Sequence, residues 1–305
     1  QADREVPRTH QPMEHMSVTP ALHSSRAGVI MPRAFLLPLA ALLLLAGCTT
    51  PPAGPEARVS SARLATTGAG RAIASETLGT GPLRVYFIGG IHGDESEGLD
   101  SVDAVRDAFL RSDASQQATL RIVRDLNPDG TAAGHRLLPT GVDPNRNWPA
   151  SNFRVHRTSG PAPLSEPEVR AVHLDMVAFR PQLIVVVHST RRGPFVNFDG
   201  PAEALAHAFV DAARSIDPRW RVVADMGYPT PGSMGSYWGI DRQVPILTVE
   251  LRRGERDTTR TSAVLTAGLL AAVNAARPLT AGAPEIRFPY LSEHAPTPRE
   301  RRRAS

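Results

Sequence analysis

The sequence predicts an α/β domain, a β-sheet with helices on both faces, and two observations carry the prediction. Four short apolar runs, LRVYFIGG (83–90), ATLRIVRDL (118–126), QLIVVVHS (182–189) and VPILTVEL (244–251), read as strands buried in a sheet. Segments with the helical period alternate with them, the arrangement that gives a sheet covered on both sides. With 305 residues and 41% hydrophobic content, the chain is long enough to bury a substantial core.

Taken in order, the run at 83–90 ends in two glycines and is followed by ESEGLDSVDAVRDAFL (95–110), which places Leu99, Val102, Val105 and Phe109 on one helical face. The strand at 118–126 runs into Asn127-Pro128-Asp129-Gly130. EPEVRAVHLDMVAF (166–179) reads as a helix begun by Ser165 as its cap, with Glu168 at the capping-box position. AEALAHAFVDAARS (202–215) is a further helix, and TSAVLTAGLLAAVNAA (261–276) closes the domain after the strand at 244–251. No internal repeat is visible.

Ahead of the domain, MPRAFLLPLAALLLLAGC carries one Arg, an apolar run from Ala34 to Ala46 and small residues before Cys48, the only cysteine. The run is shorter than the roughly 20 residues a membrane span needs, but it has the charge order of a secretory signal. L-A-G-C resembles a bacterial lipobox, which implies a lipid anchor on Cys48, a place on the periplasmic face and, with Thr49 next, the outer membrane. The alternative is an apolar helix with an ordinary core cysteine. The expected organisation is an upstream or mis-called extension (1–30), a lipoprotein signal (31–47), a Pro-, Thr- and Ser-containing linker (48–62), the domain (63–285, beginning near Arg63) and a basic tail (286–305).

Charge and composition exclude several functions. Residues 1–47 carry four Arg against three acidic residues, and residues 286–305 carry five Arg against two Glu. Of the formal +4, +1 and +3 therefore sit at the two ends and the body is net zero. Such a body lacks the basic face a nucleic-acid partner requires, and 5% aromatic content offers few stacking platforms. The chain has no Lys, which removes P-loop, lysine Schiff-base and S-x-x-K chemistry. One cysteine excludes a disulfide framework and a thiolate zinc site.

The stretch FIGGIHGDESEG (87–98) pairs His92 with Glu95 three residues on. A catalytic zinc takes three ligands of the histidine and carboxylate type and keeps one open position. His188, at the end of an apolar run, offers the third. Each histidine alone reads more readily as a hydrogen-bonded strand end than as a ligand, and H-x-x-E alone also reads as a turn opening a helix. Because active sites of such sheets gather at the carboxyl ends of strands, His92, the Asn127–Gly130 stretch, His188 and Glu250 are expected to converge.

GGIHGDESEG, NPDG, GVDPNRNWP (141–149), a strand ending in HS and a strand carrying VEL are together similar, in order and wording, to the zinc carboxypeptidase family over residues 83–251. SEPE (165–168), VNFDGPAEALA (196–206) and GYPTPGSMGSYWGI (227–240) resemble its murein peptide amidase branch. The resemblance implies a single domain with a mixed, twisted sheet, one Zn2+ held by His92, Glu95 and His188, and Asp143 orienting His92. It implies Asn145 and Arg146 gripping the free carboxylate of the substrate, Glu250 as general base, and Arg136 stabilising the oxyanion. Arg136 is matched by position only, and its alternative is a solvated loop arginine. A tyrosine closes over the substrate in classical members; Tyr228 and Tyr237 both lie in the matching region. The implied reaction is cleavage of the γ-D-glutamyl-meso-diaminopimelate amide in murein peptides. Two rivals are a succinylglutamate desuccinylase or aspartoacylase type of deacylase, whose members usually append a C-terminal β domain, and a lipoprotein that binds wall peptides without cutting them. TPGSMG (230–235) suits a substrate loop. Pro231 breaks a G-x-S-x-G nucleophile spacing there, and H-E-x-x-H does not occur.

Overall fold

A computed structural model describes residues 59–276; the expected signal segment, Cys48, most of the expected linker and the basic tail lie outside the described residues. Eight strands form one sheet: β1 (Val59–Thr66), β2 (Ala72–Leu78), β3 (Leu83–Ile88), β4 (Ala118–Val123), β5 (Leu183–Thr190), β6 (Phe195–Asp199), β7 (Val222–Val223) and β8 (Ile246–Arg252). Their order is β1-β2-β4-β3-β5-β8-β6-β7. The centre β4-β3-β5-β8 is parallel, and β1, β2 and β6 join by antiparallel pairs, so the sheet is mixed. Val59 to Ala62, expected in the linker, pair with β2.

The four strands expected from apolar runs are the parallel centre, where both faces are covered and every position favours an apolar residue. Helices cover both faces. Phe87, Val185, Val187, Val249 and Leu251 pack with α1 (Val102–Arg111), α5 (Glu203–Arg214) and α6 (Thr258–Ala275). Tyr86, Ile88, Ile184, Val186 and Ile246 pack on the other side with α4 (Pro167–Phe179), Trp148 and a π-helical segment, Gly235–Asp241. Two short helices complete the set: α2 (Ala114–Gln117) after α1 and α3 (Pro128–Ala133) after β4.

Two local expectations are corrected. The helix expected over 95–110 opens as a 3-10 turn, Ser96–Ser101, before α1 begins. Ser165 does not cap α4; Glu166 occupies that position without a side-chain cap, Pro167 follows at the first turn, and the Ser165 hydroxyl bonds the Glu166 carboxylate (2.9 Å) instead. Gly89 and Gly90 serve close packing: a Cβ on Gly89 would lie 2.5 Å from Val102 and one on Gly90 2.8 Å from Leu99. Their small size lets the turn after β3 sit against the sheet. Among the described residues no helix is long and apolar enough to cross a membrane.

Candidate metal centre and substrate cleft

β3, β5 and β8 run parallel, so their carboxyl ends share one edge. Side chains alternate along a strand, and His188 and Glu250 follow the parity of Val186 and Ile246, which face the α4 side. His188 and Glu250 are Cα partners in adjacent strands. His92 and Glu95 arrive from the turn after β3, where the Glu95 N–H donates to the His92 carbonyl (3.1 Å). Gly93 seats that turn on the start of α3: a Cβ there would lie 2.1 Å from the backbone of Gly130.

The donors converge. His92 Nδ1 lies 3.1 Å from His188 Nδ1 and 3.1 Å from Glu95 Oε1, and His188 Nδ1 lies 2.9 Å from Glu95 Oε2. All three residues are buried, and one ligand atom from each lies within 4.8 Å of the others. Tetrahedral bonds of about 2.0–2.1 Å put ligand atoms roughly 3.3 Å apart, so this donor set fits a divalent metal with little rearrangement. Behind the centre, His92 Nε2 lies 3.0 Å from Asp143 Oδ1, the carboxylate placed to orient the ring. Burial opposes charge on His92, but its hydrogen bonds to Asp143 and Glu95 outweigh this and raise its pKa. Burial likewise opposes ionisation of Glu95 and Asp143. The hydrogen bonds to the histidines hold both carboxyls well below the usual range, helped at Asp143 by Arg136 and Arg146.

Glu250 differs. It is buried, no group among the described residues donates to its carboxylate, and burial pushes its pKa up, with His188 opposing that and Glu95 adding to it. It lines a cleft of about 480 Å³ together with His92, Glu95 and His188.

Around this centre the expected residues fall as follows. The Arg136 carbonyl is pinned by Gly93 N–H (3.4 Å) and Asn127 Nδ2 (3.2 Å), and its guanidinium meets Glu95 Oε1 (2.6 Å) and Asp143 Oδ2 (3.4 Å) at the cleft wall. It is therefore an anchored residue and not a solvated loop arginine. Asn145 and Arg146 both line the cleft. The Asn145 Oδ1 accepts the Met234 N–H (2.9 Å), which leaves its amide nitrogen, 3.4 Å from His188 Nε2, as the group facing the centre. Arg146 donates to the Asn145 carbonyl (2.7 Å). Thr230, Ser233 and Gly235 of the 230–235 loop border the cleft.

Two expectations change. Tyr237 is 3% exposed and packs in the core, its ring 5.4 Å from His173 and 5.2 Å from Trp238; the cleft-side tyrosine is Tyr228, which is 51% exposed. The Asn127–Gly130 stretch supports the site and does not join it. Asn127 Oδ1 caps α3 through the Gly130 N–H (3.0 Å), and Asp129 binds Thr67 and Arg71 on the far side. One contributor was missed: Arg253, just past β8, bonds Asp94 Oδ2 (2.9 Å) and lies 3.3 Å from Glu95 Oε1. Its signal was a basic residue at a strand end that already carries Glu250. Asp94 holds that arginine and Glu97 accepts the Gly254 N–H (2.7 Å), so neither acidic neighbour enters the centre.

Solved structures of similar fold include the murein-tripeptide amidase of Escherichia coli O157, with a TM-score of 0.52 and 22% identity over 70% of this chain and 91% of that one. A metallo-carboxypeptidase of Burkholderia cenocepacia matches with a TM-score of 0.58 and 21% identity over 73% of this chain and 66% of that one. Fold and site together define a hydrolase of the zinc carboxypeptidase-like α/β class. More narrowly, residues 82–276 match the model of the succinylglutamate desuccinylase/aspartoacylase catalytic domain, and the chain belongs to that family. Murein peptide amidase A of Escherichia coli K12 is 29% identical over 185 residues, 54% of this chain and 69% of the relative. The expected resemblance to zinc carboxypeptidases and their murein peptide amidase branch thus holds, and the matching family model is also the one whose description covers the deacylases expected as rivals.

Proposed function

We propose that the chain hydrolyses, with one Zn2+ per chain, the amide between γ-D-glutamate and meso-diaminopimelate in murein peptides. The observation that carries the reading is Glu250: a buried carboxylate without a hydrogen-bond partner among the described residues, lining the same cleft as three converged ligands and the Asn145–Arg146 pair. His92, Glu95 and His188 would hold the zinc, which would supply Lewis acidity to polarise a carbonyl and to activate water near neutral pH. Arg146 and the Asn145 amide hold the free carboxylate of the leaving residue, which sets the scissile bond over the centre. Glu250 takes the proton of the attacking water and passes it to the leaving nitrogen as the C–N bond breaks. Arg136 receives the negative charge that develops on the carbonyl oxygen.

A second reading has one observation in its favour: the matched family model is described by deacylases of N-acyl amino acids. One assay separates the two. Zinc-loaded protein incubated with murein tripeptide and tetrapeptide, N-succinylglutamate and N-acetylaspartate is expected to release diaminopimelate-containing products from the murein peptides. Turnover of the acylated amino acids alone supports the second reading. Cleavage only of substrates whose α-carboxyl is blocked contradicts both.

A further inference from the structure

Arg253 stands just past the strand that carries Glu250, and the proposed chemistry gives it no part. Its guanidinium is half-buried at the cleft wall, where it joins segments far apart in sequence. Nη1 donates to the carbonyl and to Oδ2 of Asp94 (both 2.9 Å), and Nη2 donates to the Ser189 carbonyl (3.3 Å) and lies 3.3 Å from Glu95 Oε1. Each contact adjoins a metal-ligand position: Asp94 precedes Glu95, and Ser189 follows His188. The planar fork of an arginine can hold such divergent acceptors at once, where a lysine ammonium offers one compact charge.

Backbone bonds tie the turn after β3 on one side. The Leu126 N–H donates to the Gly90 carbonyl (3.0 Å) and the Gly93 N–H to the Arg136 carbonyl (3.4 Å), both on the side of β4 and α3. Towards β5 and β8 the bonds run through side chains: Arg253 on Asp94, with the Ser189 N–H (3.2 Å) and His188 Nδ1 (2.9 Å) on Glu95 Oε2. Charge points the same way. Two guanidiniums reach the buried Glu95 carboxylate at Oε1, Arg136 at 2.6 Å and Arg253 at 3.3 Å. Arg136 is the one assigned to the carbonyl oxygen of the substrate. Arg253, fastened by Asp94 and Ser189, is the cation that stays with Glu95 when Arg136 turns away.

We infer that Arg253 is a positioning residue: it locks the turn bearing His92 and Glu95 to the strands bearing His188 and Glu250, and so governs how tightly the centre retains zinc. The inference rests on the three-ligand centre of the proposed function and not on the choice of substrate. Zinc affinity and release, read by competition with a chromogenic chelator on the zinc-loaded full chain, test it without turnover. Arg253→Met keeps much of the side-chain volume and removes the charged fork, and is expected to bind zinc at least about tenfold more weakly. Arg253→Lys, which restores the charge without the fork, is expected to recover part of that loss. Asp94→Asn, which keeps Arg253 but removes its ionic anchor, is expected to show a smaller loss of the same sign. The melting temperature of the metal-free protein is expected to change little, while the increase that zinc produces shrinks. Unchanged zinc affinity in Arg253→Met, or a fall in metal-free stability alone, overturns the inference; should that variant not fold, unchanged affinity in both Arg253→Lys and Asp94→Asn overturns it. An unaltered protein that binds no zinc removes the centre and the inference together. Zinc retention that depends on Arg253, without hydrolysis of murein peptides, upholds the inference and sinks the catalytic reading alone.

Discussion

His92 is gripped from both sides: Nδ1 faces Glu95 and His188, and Nε2 faces Asp143. That leaves Glu250 as the buried acid of the centre whose charge is not consumed by a neighbour, and its raised pKa suits a group that accepts a proton and returns it. Glu250→Gln keeps size and removes the base, so turnover of the murein tripeptide is expected to fall about 10²–10⁴-fold with zinc content unchanged. Steady-state kinetics beside metal analysis checks this; unchanged turnover would make Glu250 a bystander and favour a site that only binds. At this scale the ligands were readable because chemistry restricts them to few residue types at short spacing. Tyr228 and Tyr237 were not separable, since which one meets solvent depends on the π-helical segment, and nothing in the local pattern announces that geometry.

Among elements, the parallel centre of the sheet was readable because strands covered on both faces are continuously apolar. β1, β2 and β6 were not: β2 alternates buried and exposed positions over AIASETL, and β6 is five residues long. The π-helical segment packs on α4 through His173, whose ring lies 5.4 Å from Tyr237 and 6.1 Å from Trp238, and whose Nδ1 has no hydrogen-bond partner among the described residues. Burial, reinforced by Arg242, pulls the His173 pKa down to about 4. Its unfolded value is near 6.5, so between these values the unfolded chain binds the extra proton. Stability tied to His173 is complete above about pH 6.5, is lost as pH falls towards 4, and amounts to about 3 kcal/mol in all. His173→Gln, which cannot titrate there, is expected to lose less stability than the unaltered protein between pH 7 and pH 4.5 in denaturant melts. Parallel losses in both proteins would place the acid sensitivity elsewhere.

For the whole molecule, topology does what spacing in sequence cannot. Parallel β3, β5 and β8 end on one edge, which brings His188 to His92 from 96 residues away and sets Glu250 beside His188. The α/β class and the converging edge were visible in the order of apolar runs; the antiparallel flanks and the support role of Asn127–Gly130 came only with the pairings. Belonging to the desuccinylase/aspartoacylase family leaves open which acyl group is released, and the cleft's own side chains bear on that choice more than the fold does. Every reading of this cleft depends on His92, Glu95 and His188 forming a single metal centre. Elemental analysis of the purified protein and of His188→Ala tests that most directly. About one zinc per chain in the first and little in the second is the expected result; no bound metal in the first, or equal content in both, would contradict it.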